Sequence, residues 1–165
     1  MLTLRQITLS RGNKVLLDKA NVSLYEKQKI GLIGHNGCGK STLFDFLLGK
    51  LIPDSGEFLI NPQLSISHLS QQLPDSEQTA LDFVLAGDDE YIKLLERLKQ
   101  AELSGNDAEV LACHDELSHS GGYSKPAQAA TIMSGLGFRG DQQQNTVNSF
   151  SGGWRMRLSL ARCLM

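Results

Sequence analysis

The sequence predicts an α/β fold, with β strands in the first part of the chain and helices in the second. Three observations predict it. Short extended segments with spaced apolar residues open the chain, a glycine-rich loop follows an apolar run at residues 34–41, and helical periodicity begins near residue 80. The length of 165 residues suits one domain with a small inserted subdomain.

The first part of the chain contains several segments that we predict to be β strands. Apolar residues recur through residues 2–9, a turn follows at residues 11–14, and residues 15–24 have the pattern of a second strand. Two further short strands are predicted after a turn, at residues 57–60 and 64–69.

The apolar run of residues 29–34 ends in glycine, which is typical of a buried parallel strand that leads into a loop. Apolar residues then recur at helical spacing through residues 43–48, and Gly49 is the predicted stop. A strand, a loop and a helix are therefore predicted in succession.

Helical periodicity dominates from about residue 80 to residue 121. An apolar face over residues 91–101 is interrupted at residues 104–106, and Asn106 and Glu109 form a pair that resembles a capping box. We predict an antiparallel helical hairpin whose two apolar stripes pack on each other. Further helices are predicted at residues 126–134 and from Trp154 onward.

Composition and charge exclude several classes of protein. A net charge of −2 gives no overall attraction to nucleic acid or to an anionic membrane. The N-terminus lacks the apolar run of a secretory signal, and no stretch approaches about 18 consecutive apolar residues, so we predict no transmembrane segment. The three cysteines have no metal-ligand spacing and indicate a reducing compartment, so we expect a cytoplasmic location.

Residues 34–41 match the pattern G-x-x-x-x-G-K-[ST] without a mismatch. Backbone N–H groups at a helix N-terminus attract a dense anion such as triphosphate, and glycines let the backbone wrap closely around it. Lys40 supplies a mobile cation for the β and γ phosphates, Ser41 a hydroxyl for Mg²⁺, and Thr42 a donor near the α phosphate. We predict that this phosphate loop binds ATP through Gly34, Asn36, Gly37, Cys38, Gly39, Lys40, Ser41 and Thr42.

Ser151 and the two glycines after it open the last predicted helix and form a second helix end that can bind an anion. A Ser-Gly-Gly start is a weak indication by itself, but the upstream phosphate loop makes it specific. The two motifs resemble those of the ATP-binding cassette (ABC) family, and the resemblance covers essentially the whole chain. The family's signature is usually Leu-Ser-Gly-Gly-Gln, whereas this chain has Phe150 and Trp154 at the outer positions.

The resemblance implies a P-loop NTPase fold of the ABC nucleotide-binding type, with an antiparallel β subdomain and an inserted helical hairpin. Gln71 resembles the family's Q-loop glutamine, which reaches Mg²⁺ and the attacking water, and its neighbour Gln72 stays open as the alternative. Lys40 and Gln71 are thus the expected catalytic residues, and Ser41 and Gln71 the expected ligands of Mg²⁺. The signature residues implied to contact the ATP of a second cassette are Ser151, Gly152 and Gly153.

The family often places an aromatic ring before the early glycine, where it stacks on adenine. Arg11 occupies that position in this chain, and a guanidinium also stacks on bases. Val15 is expected to line the other side of the base. A preference for ATP over GTP is therefore implied by the family rather than by these residues.

Three features resemble the ABC-F branch, whose members are soluble, carry two cassettes in one chain and act on ribosomes. They are the helical hairpin before the signature, the segment at residues 132–138, and the Phe-Ser-Gly-Gly-Trp-Arg-Met-Arg form of the signature. The resemblance implies a cytoplasmic ATPase with a second cassette and the ribosome as partners. Two alternatives share the motifs: the nucleotide-binding subunit of a membrane transporter, and a non-catalytic nucleotide-sensing module.

We expect three regions: an ATP-binding core at residues 1–84, the hairpin at residues 85–122, and a helical subdomain with the signature at residues 123–165. In the family, a strand after the signature helix ends in an Asp-Glu pair whose Glu polarises the attacking water. The sequence stops at Met165, inside that helix. We therefore expect part of a longer protein, little or no ATPase activity in these 165 residues, and self-association through an open sheet edge.

The predicted hairpin is acidic. Residues 85–120 contain nine acidic and three basic residues, a net charge of −6, so the remainder of the chain carries +4 within the total of −2. Such a surface is poorly suited to phosphate backbone. If the hairpin meets a ribosome, we expect it to contact a basic ribosomal protein rather than RNA.

Overall fold

A computed structural model gives the fold of the chain and describes residues 1–61, 64, 66–70 and 72–165. The chain divides into two compact units, Met1–Ile66 and Ser67–Met165. The first unit contains the phosphate loop, and the second contains the hairpin and the signature helix. Gln71, the predicted Q-loop residue, lies outside the described residues.

The first unit contains a three-stranded antiparallel sheet in the order β2-β1-β3. Strands β1 and β2 form a hairpin whose register pairs Leu2 with Leu24 and Arg11 with Lys14. The strands predicted at residues 2–9, 15–24 and 57–60 are confirmed. Their bounds are β1 (Leu2–Arg11), β2 (Lys14–Leu24) and β3 (Ser55–Ile60).

Apolar side chains of β1 pack against helix α1 (Lys40–Leu47), which confirms the helix predicted after the loop. Ile7 and Leu9 are almost fully buried, and Phe46 of α1 is 2% exposed, with its ring 5.1 Å from that of Phe58 in β3. Burial of one such side chain contributes about 1.5–3 kcal/mol. This core holds α1, and the loop at its N-terminus, against the sheet.

The buried strand predicted at residues 29–34 is wrong. That segment has no regular secondary structure, and the side chain of Ile33 is 94% exposed. A strand needs a neighbour for its N–H and C=O groups, and the described strands of this unit pair only with one another. The strand predicted at residues 64–69 is likewise absent from the part of that segment that the structure describes.

The second unit is helical. Three of its helices enclose a core in which Val84, Met133 and Leu158 are fully buried. The predicted helices after residue 80 are therefore confirmed. Their bounds are α2 (Ala80–Leu85), α3 (Asp89–Ser104), α4 (Asp107–His119), α5 (Lys125–Gly135) and α6 (Gly152–Cys163).

Helices α3 and α4 form the predicted hairpin. Gly105 ends α3 with a left-handed backbone, φ 66°, and the Asn106 side chain accepts a hydrogen bond from the N–H of Glu109 at 3.3 Å to cap α4. The facing stripes bury a small shared cluster of Leu94, Cys113 and Leu117. The stripes therefore pack on each other, as the helical periodicity predicts.

Candidate nucleotide-binding site

The phosphate loop wraps around the N-terminus of α1. Gly37 and Gly39 have left-handed backbones, with φ 77° and φ 106°. The N–H of Leu43 donates to the carbonyl of Gly39 at 2.9 Å, which is the first hydrogen bond of the helix ladder. The N–H groups of residues 40–42 precede that bond. They belong to the first turn, whose N–H groups have no partner within the helix and can bind an anion.

Two glycines of the loop allow contacts that a side chain would block. A Cβ on Gly39 would lie 3.0 Å from Cδ2 of Leu16, and a Cβ on Gly34 would lie 2.7 Å from Sγ of Cys38. Cβ atoms essentially never approach other heavy atoms to less than 3.0 Å. A side chain at either position would therefore displace Leu16 or Cys38, and at Gly39 it would also have to adopt a positive φ that favours glycine.

The Lys40 side chain folds back across the loop. Its Nζ donates to the carbonyl oxygen of Gly34 at 2.6 Å and to that of His35 at 2.9 Å, and it lies 3.9 Å from Sγ of Cys38. These contacts hold the ammonium group of the first residue of α1 against the phosphate loop. A mobile cation next to unpaired N–H groups is the arrangement that the triphosphate prediction requires.

Two more basic side chains reach the loop from the β1–β2 hairpin. Nη1 of Arg11 donates to Oγ1 of the buried Thr42 at 3.3 Å, and Nζ of Lys14 donates to the carbonyl oxygen of Gly37 at 3.3 Å. Arg11 is among the residues predicted for the site, whereas Lys14 is not. The signal that could have found Lys14 is the hairpin register, which sets it directly across from Arg11.

Arg11 and Val15, the residues predicted to contact adenine, lie on the β1–β2 hairpin. Arg11 stands beside the phosphate loop, but its guanidinium is engaged with Thr42, a residue predicted to lie near the α phosphate. Val15 lies on β2, and its side chain is 57% exposed, which leaves it accessible to a base. Stacking of Arg11 on adenine and contact with Val15 stay predictions.

Ser41 suits the role predicted for it in binding Mg²⁺. It is the second residue of α1, and its side chain is exposed beside the loop. Mg²⁺ keeps several waters and takes one or two protein oxygens together with phosphate oxygens, so a single hydroxyl at this position fits the ion. Within the ranges that the structure describes, no group of three or more His, Cys, Asp or Glu side chains could hold a metal.

The signature residues start α6 in the second unit. Ser151 occupies the N-cap position, where its carbonyl accepts from the N–H of Arg155 at 2.9 Å. Among the described residues its hydroxyl makes no capping hydrogen bond. Gly153 is exposed at the start of α6, where a helix leaves its first amides without intrahelical partners. Anion binding by these amides stays a prediction.

The segment that follows Gln72 is fastened to the start of α6. Nη1 of Arg155 donates to the carbonyl oxygen of Pro74 at 3.2 Å, and a Cβ on Gly152 would lie 3.1 Å from Cδ1 of Leu73. Gln72 itself is exposed, and its N–H donates to Oγ of Ser70 at 3.1 Å. The choice between Gln71 and Gln72 as the Q-loop residue stays open.

Aromatic packing stiffens the signature helix where this chain departs from the usual signature. The Phe138 ring lies 5.6 Å from that of Phe150 and 4.8 Å from that of Trp154, both edge to face. The guanidinium of Arg157 stacks 4.7 Å from the Trp154 ring and donates to the carbonyl of Leu136 at 3.3 Å. Phe150 is thus part of the core of this unit, and the partly buried Trp154 packs against that core.

Ion pairs organise the acidic hairpin. Arg97 of α3 donates to Glu109 at 2.6 Å and to Glu116 at 2.9 Å, both on α4. The hydrogen bonds from Glu109 and Glu116 hold the pKa of Arg97 above its ordinary value. One of the hairpin's three basic residues is therefore neutralised internally, and Lys93 and Lys99 remain to offset its acidic surface.

A partly buried ion pair fastens the base of the hairpin to α5. Oδ2 of Asp88, the N-cap residue of α3, lies 2.6 Å from Nζ of Lys125. Burial opposes ionisation of Asp88, but the hydrogen bond and charge of Lys125 and the N–H of Tyr91 together lower the pKa of its carboxyl. The hairpin is therefore anchored electrostatically as well as by packing.

The comparisons with known proteins identify the family. A family model described as ABC transporter matches residues 17–165. The chain belongs to the ATP-binding cassette (ABC) family. Within the described ranges, no helix combines the length and apolar character needed to cross a membrane.

Curated relatives confirm the resemblance of this ABC chain to the ABC-F branch. It is 36% identical over 165 residues to "Probable ATP-binding protein YheS" of Haemophilus influenzae, covering all of this chain and 26% of that protein. It is 35% identical over 178 residues to "ABC transporter F family member 4" of Arabidopsis thaliana, covering 99% of this chain and 24% of that protein. The chain spans about a quarter of the length of these relatives.

Solved structures confirm the predicted fold class. A dimeric ATP-binding cassette in a post-hydrolysis state, bound to ADP and Pi, aligns with a TM-score of 0.64 at 21% identity, over 99% of this chain and 69% of that one. The dimeric structure of a bacterial ABC transporter cassette aligns with a TM-score of 0.63 at 18% identity, over the same shares. The fold is therefore that of an ABC nucleotide-binding domain.

Proposed function

We propose that this chain is the ATP-binding cassette of an ABC-F type ATPase that works in the cytoplasm with a second cassette and acts on ribosomes. The phosphate loop is the observation that carries the proposal. The Lys40 ammonium lies across the loop, and the loop leads into the N-terminus of α1, so both the cation and the helix amides attract a polyphosphate. The relatives at 35–36% identity support the ABC-F assignment.

The residues divide the binding of ATP between them. The amides of residues 40–42 receive phosphate oxygens, and the ammonium of Lys40 neutralises the β and γ phosphates. Ser41 offers a hydroxyl to Mg²⁺, which when bound would neutralise charge on the phosphate oxygens. Gln71 or Gln72 would position the attacking water in the full-length protein, where hydrolysis is expected.

The signature supplies the contact to the second cassette. The exposed start of α6 at Ser151 and Gly153 presents amides that an anion can approach. The solved cassettes with this fold are described as dimeric, which supports a second cassette as the partner. ATP would then hold two cassettes together, and its hydrolysis would release them.

Calorimetric titration of the chain with ATP tests the binding site. Charge-assisted hydrogen bonds contribute about 1.5–3 kcal/mol each, so we expect Lys40→Ala to weaken ATP binding at least about tenfold. Lys50→Ala is the matched control, because that lysine pairs with Asp45 at the other end of the α1 region. Equal affinities for the native chain and Lys40→Ala would remove the basis of the proposed function.

The acidic hairpin supports a basic protein as the contact on the ribosome. Its net charge over residues 85–120 is −6, and the charge of Arg97 is taken up by Glu109 and Glu116. A surface of this sign repels phosphate backbone and attracts lysine-rich and arginine-rich protein. The hairpin would therefore approach a ribosomal protein rather than exposed RNA.

Ribosome pelleting with the full-length protein tests this part of the proposal. A hydrolysis-deficient form is expected to co-sediment with ribosomes in ATP and to be released when ATP is withdrawn. Removal of the hairpin, with Gly-Ser closing the gap, is expected to weaken that association. Absence of the full-length protein from the ribosomal pellet in ATP would argue for the transporter subunit or the nucleotide-sensing module instead.

A further inference from the structure

The β1–β2 hairpin places a lysine against the middle of the phosphate loop. Nζ of Lys14 donates to the carbonyl oxygen of Gly37 at 3.3 Å, and the side chain is otherwise exposed. Lys14 is fixed there by the register of the hairpin, which pairs it with Arg11, and Arg11 is itself held to Thr42 of α1. Two independent contacts therefore join this end of the hairpin to the loop and helix.

The charges around the loop are unbalanced. Arg11, Lys14 and Lys40 all contact it through neutral acceptors, namely a hydroxyl and backbone carbonyls. Across the described part of the chain, the ion pairs within 4.0 Å involve other basic residues, and none involves these three. Three cations at one loop without a carboxylate partner create a local positive potential suited to an anion of high charge.

We propose that Lys14 is a second nucleotide-binding lysine of this site, with the phosphate chain of the nucleotide as its ligand. The inference rests on the proposed function, since it concerns the same bound nucleotide. A lysine stem is flexible and its ammonium has three donors, so Nζ can exchange the Gly37 carbonyl for a phosphate oxygen nearby. A phosphate oxygen is charged and is the stronger acceptor.

This arrangement grips the polyphosphate from two elements. Lys40 acts from the first turn of α1, and Lys14 acts from the start of β2. The contact is to phosphate and not to the base, so its loss weakens ATP and GTP binding by the same factor. Because Lys14 is exposed, its contribution is smaller than that of Lys40 and falls as salt rises.

Calorimetric titration of the 165-residue chain with Mg·ATP and Mg·GTP, at low and high salt, tests the proposal. We expect Lys14→Gln to weaken both nucleotides about three- to tenfold at low salt, Lys14→Glu to weaken them further, and Lys14→Arg to restore most of the affinity. Lys19→Gln is the matched control, because it removes one positive charge from the same strand. Thermal unfolding of each variant confirms that the fold is retained.

The outcomes separate this inference from the proposed function. Native affinity in Lys14→Gln, with loss of binding in Lys40→Ala, would overturn the role of Lys14 and leave the site itself in place. A loss in Lys14→Glu alone, or an equal loss in Lys19→Gln, would also overturn it, because either indicates long-range charge and not contact. Native affinity in Lys40→Ala would instead refute the proposed function.

Discussion

Substitution of Gly39 by alanine tests whether the tight fold of the loop against β2 is needed for binding. Gly39 has φ 106°, a conformation that residues with a Cβ rarely adopt, and its Cβ would lie 3.0 Å from Cδ2 and 3.1 Å from Cδ1 of Leu16. Gly37 offers a matched control. Its φ is 77°, but a Cβ there would have no described heavy atom within 4 Å.

The two substitutions separate backbone strain from contact. A residue with a Cβ at a left-handed, positive φ lowers the free energy of unfolding by about 1–2 kcal/mol. We expect this loss for Gly37→Ala, and the same loss as one part of the effect of Gly39→Ala. Displacement of the half-buried Leu16 side chain by a few tenths of an ångström adds about 1 kcal/mol to Gly39→Ala. We therefore expect Gly39→Ala to lower the free energy of unfolding by about 2–3 kcal/mol, and Gly37→Ala by about 1–2 kcal/mol.

A double-mutant cycle with Leu16→Ala isolates the contact term. In the Leu16→Ala background the cost of Gly39→Ala is expected to fall to about that of Gly37→Ala, since the Cδ atoms are gone. Urea unfolding measures the free energies, and calorimetry measures the accompanying loss of ATP affinity. If Gly39→Ala costs the same in both backgrounds, the packing of the loop on Leu16 contributes nothing and this reasoning is wrong.

Two further predictions concern the second unit. The lowered pKa of Asp88 means that its ion pair with Lys125 stabilises the fold above the carboxyl's ordinary pKa of 3.8 and is lost as pH falls through the lower folded value. Near neutral pH, the free energy of unfolding of Asp88→Asn should therefore be lower than that of the native chain by a constant amount. This difference should shrink below about pH 4. A difference that does not change with pH would contradict the prediction. Phe138→Ala removes a side chain that is 3% exposed and should lower the free energy of unfolding in urea by about 3–5 kcal/mol. Phe44→Ala is the control, because Phe44 is 48% exposed and its loss should lower that free energy far less. Equal losses for the two variants would place Phe138 outside the core.

Features that depend on neighbouring residues in the chain could be predicted from the sequence. The glycines of the phosphate loop, the lysine after them and the helix start are one continuous segment, and the structure has α1 begin at Lys40. The helical hairpin could be predicted for the same reason. A helix pairs its backbone hydrogen bonds within four residues, and the apolar residues of its buried face recur every three or four positions. Gly105 and Asn106 accordingly end and begin the helices where the sequence indicates.

The strand predicted at residues 29–34 shows where local reasoning fails. Its apolar run has the composition of a β strand, but a strand forms only when another strand pairs with it. No strand in the described part of the first unit does so, and Ile33 is therefore exposed although it is apolar. Composition indicates what a segment would do beside a partner and gives no information about whether the partner is there.

By itself, then, the sequence determined the phosphate-binding loop, the signature and the helical hairpin, because each is encoded by residues within a turn or two of one another. Within each unit, only the tertiary structure decided which residues from distant parts of the chain contact one another. The register of β1 and β2 brings Lys14 to Gly37, and the packing of α6 brings Arg155 to Pro74. Such contacts depend on pairing and packing between separate elements, and no local pattern of side chains records them.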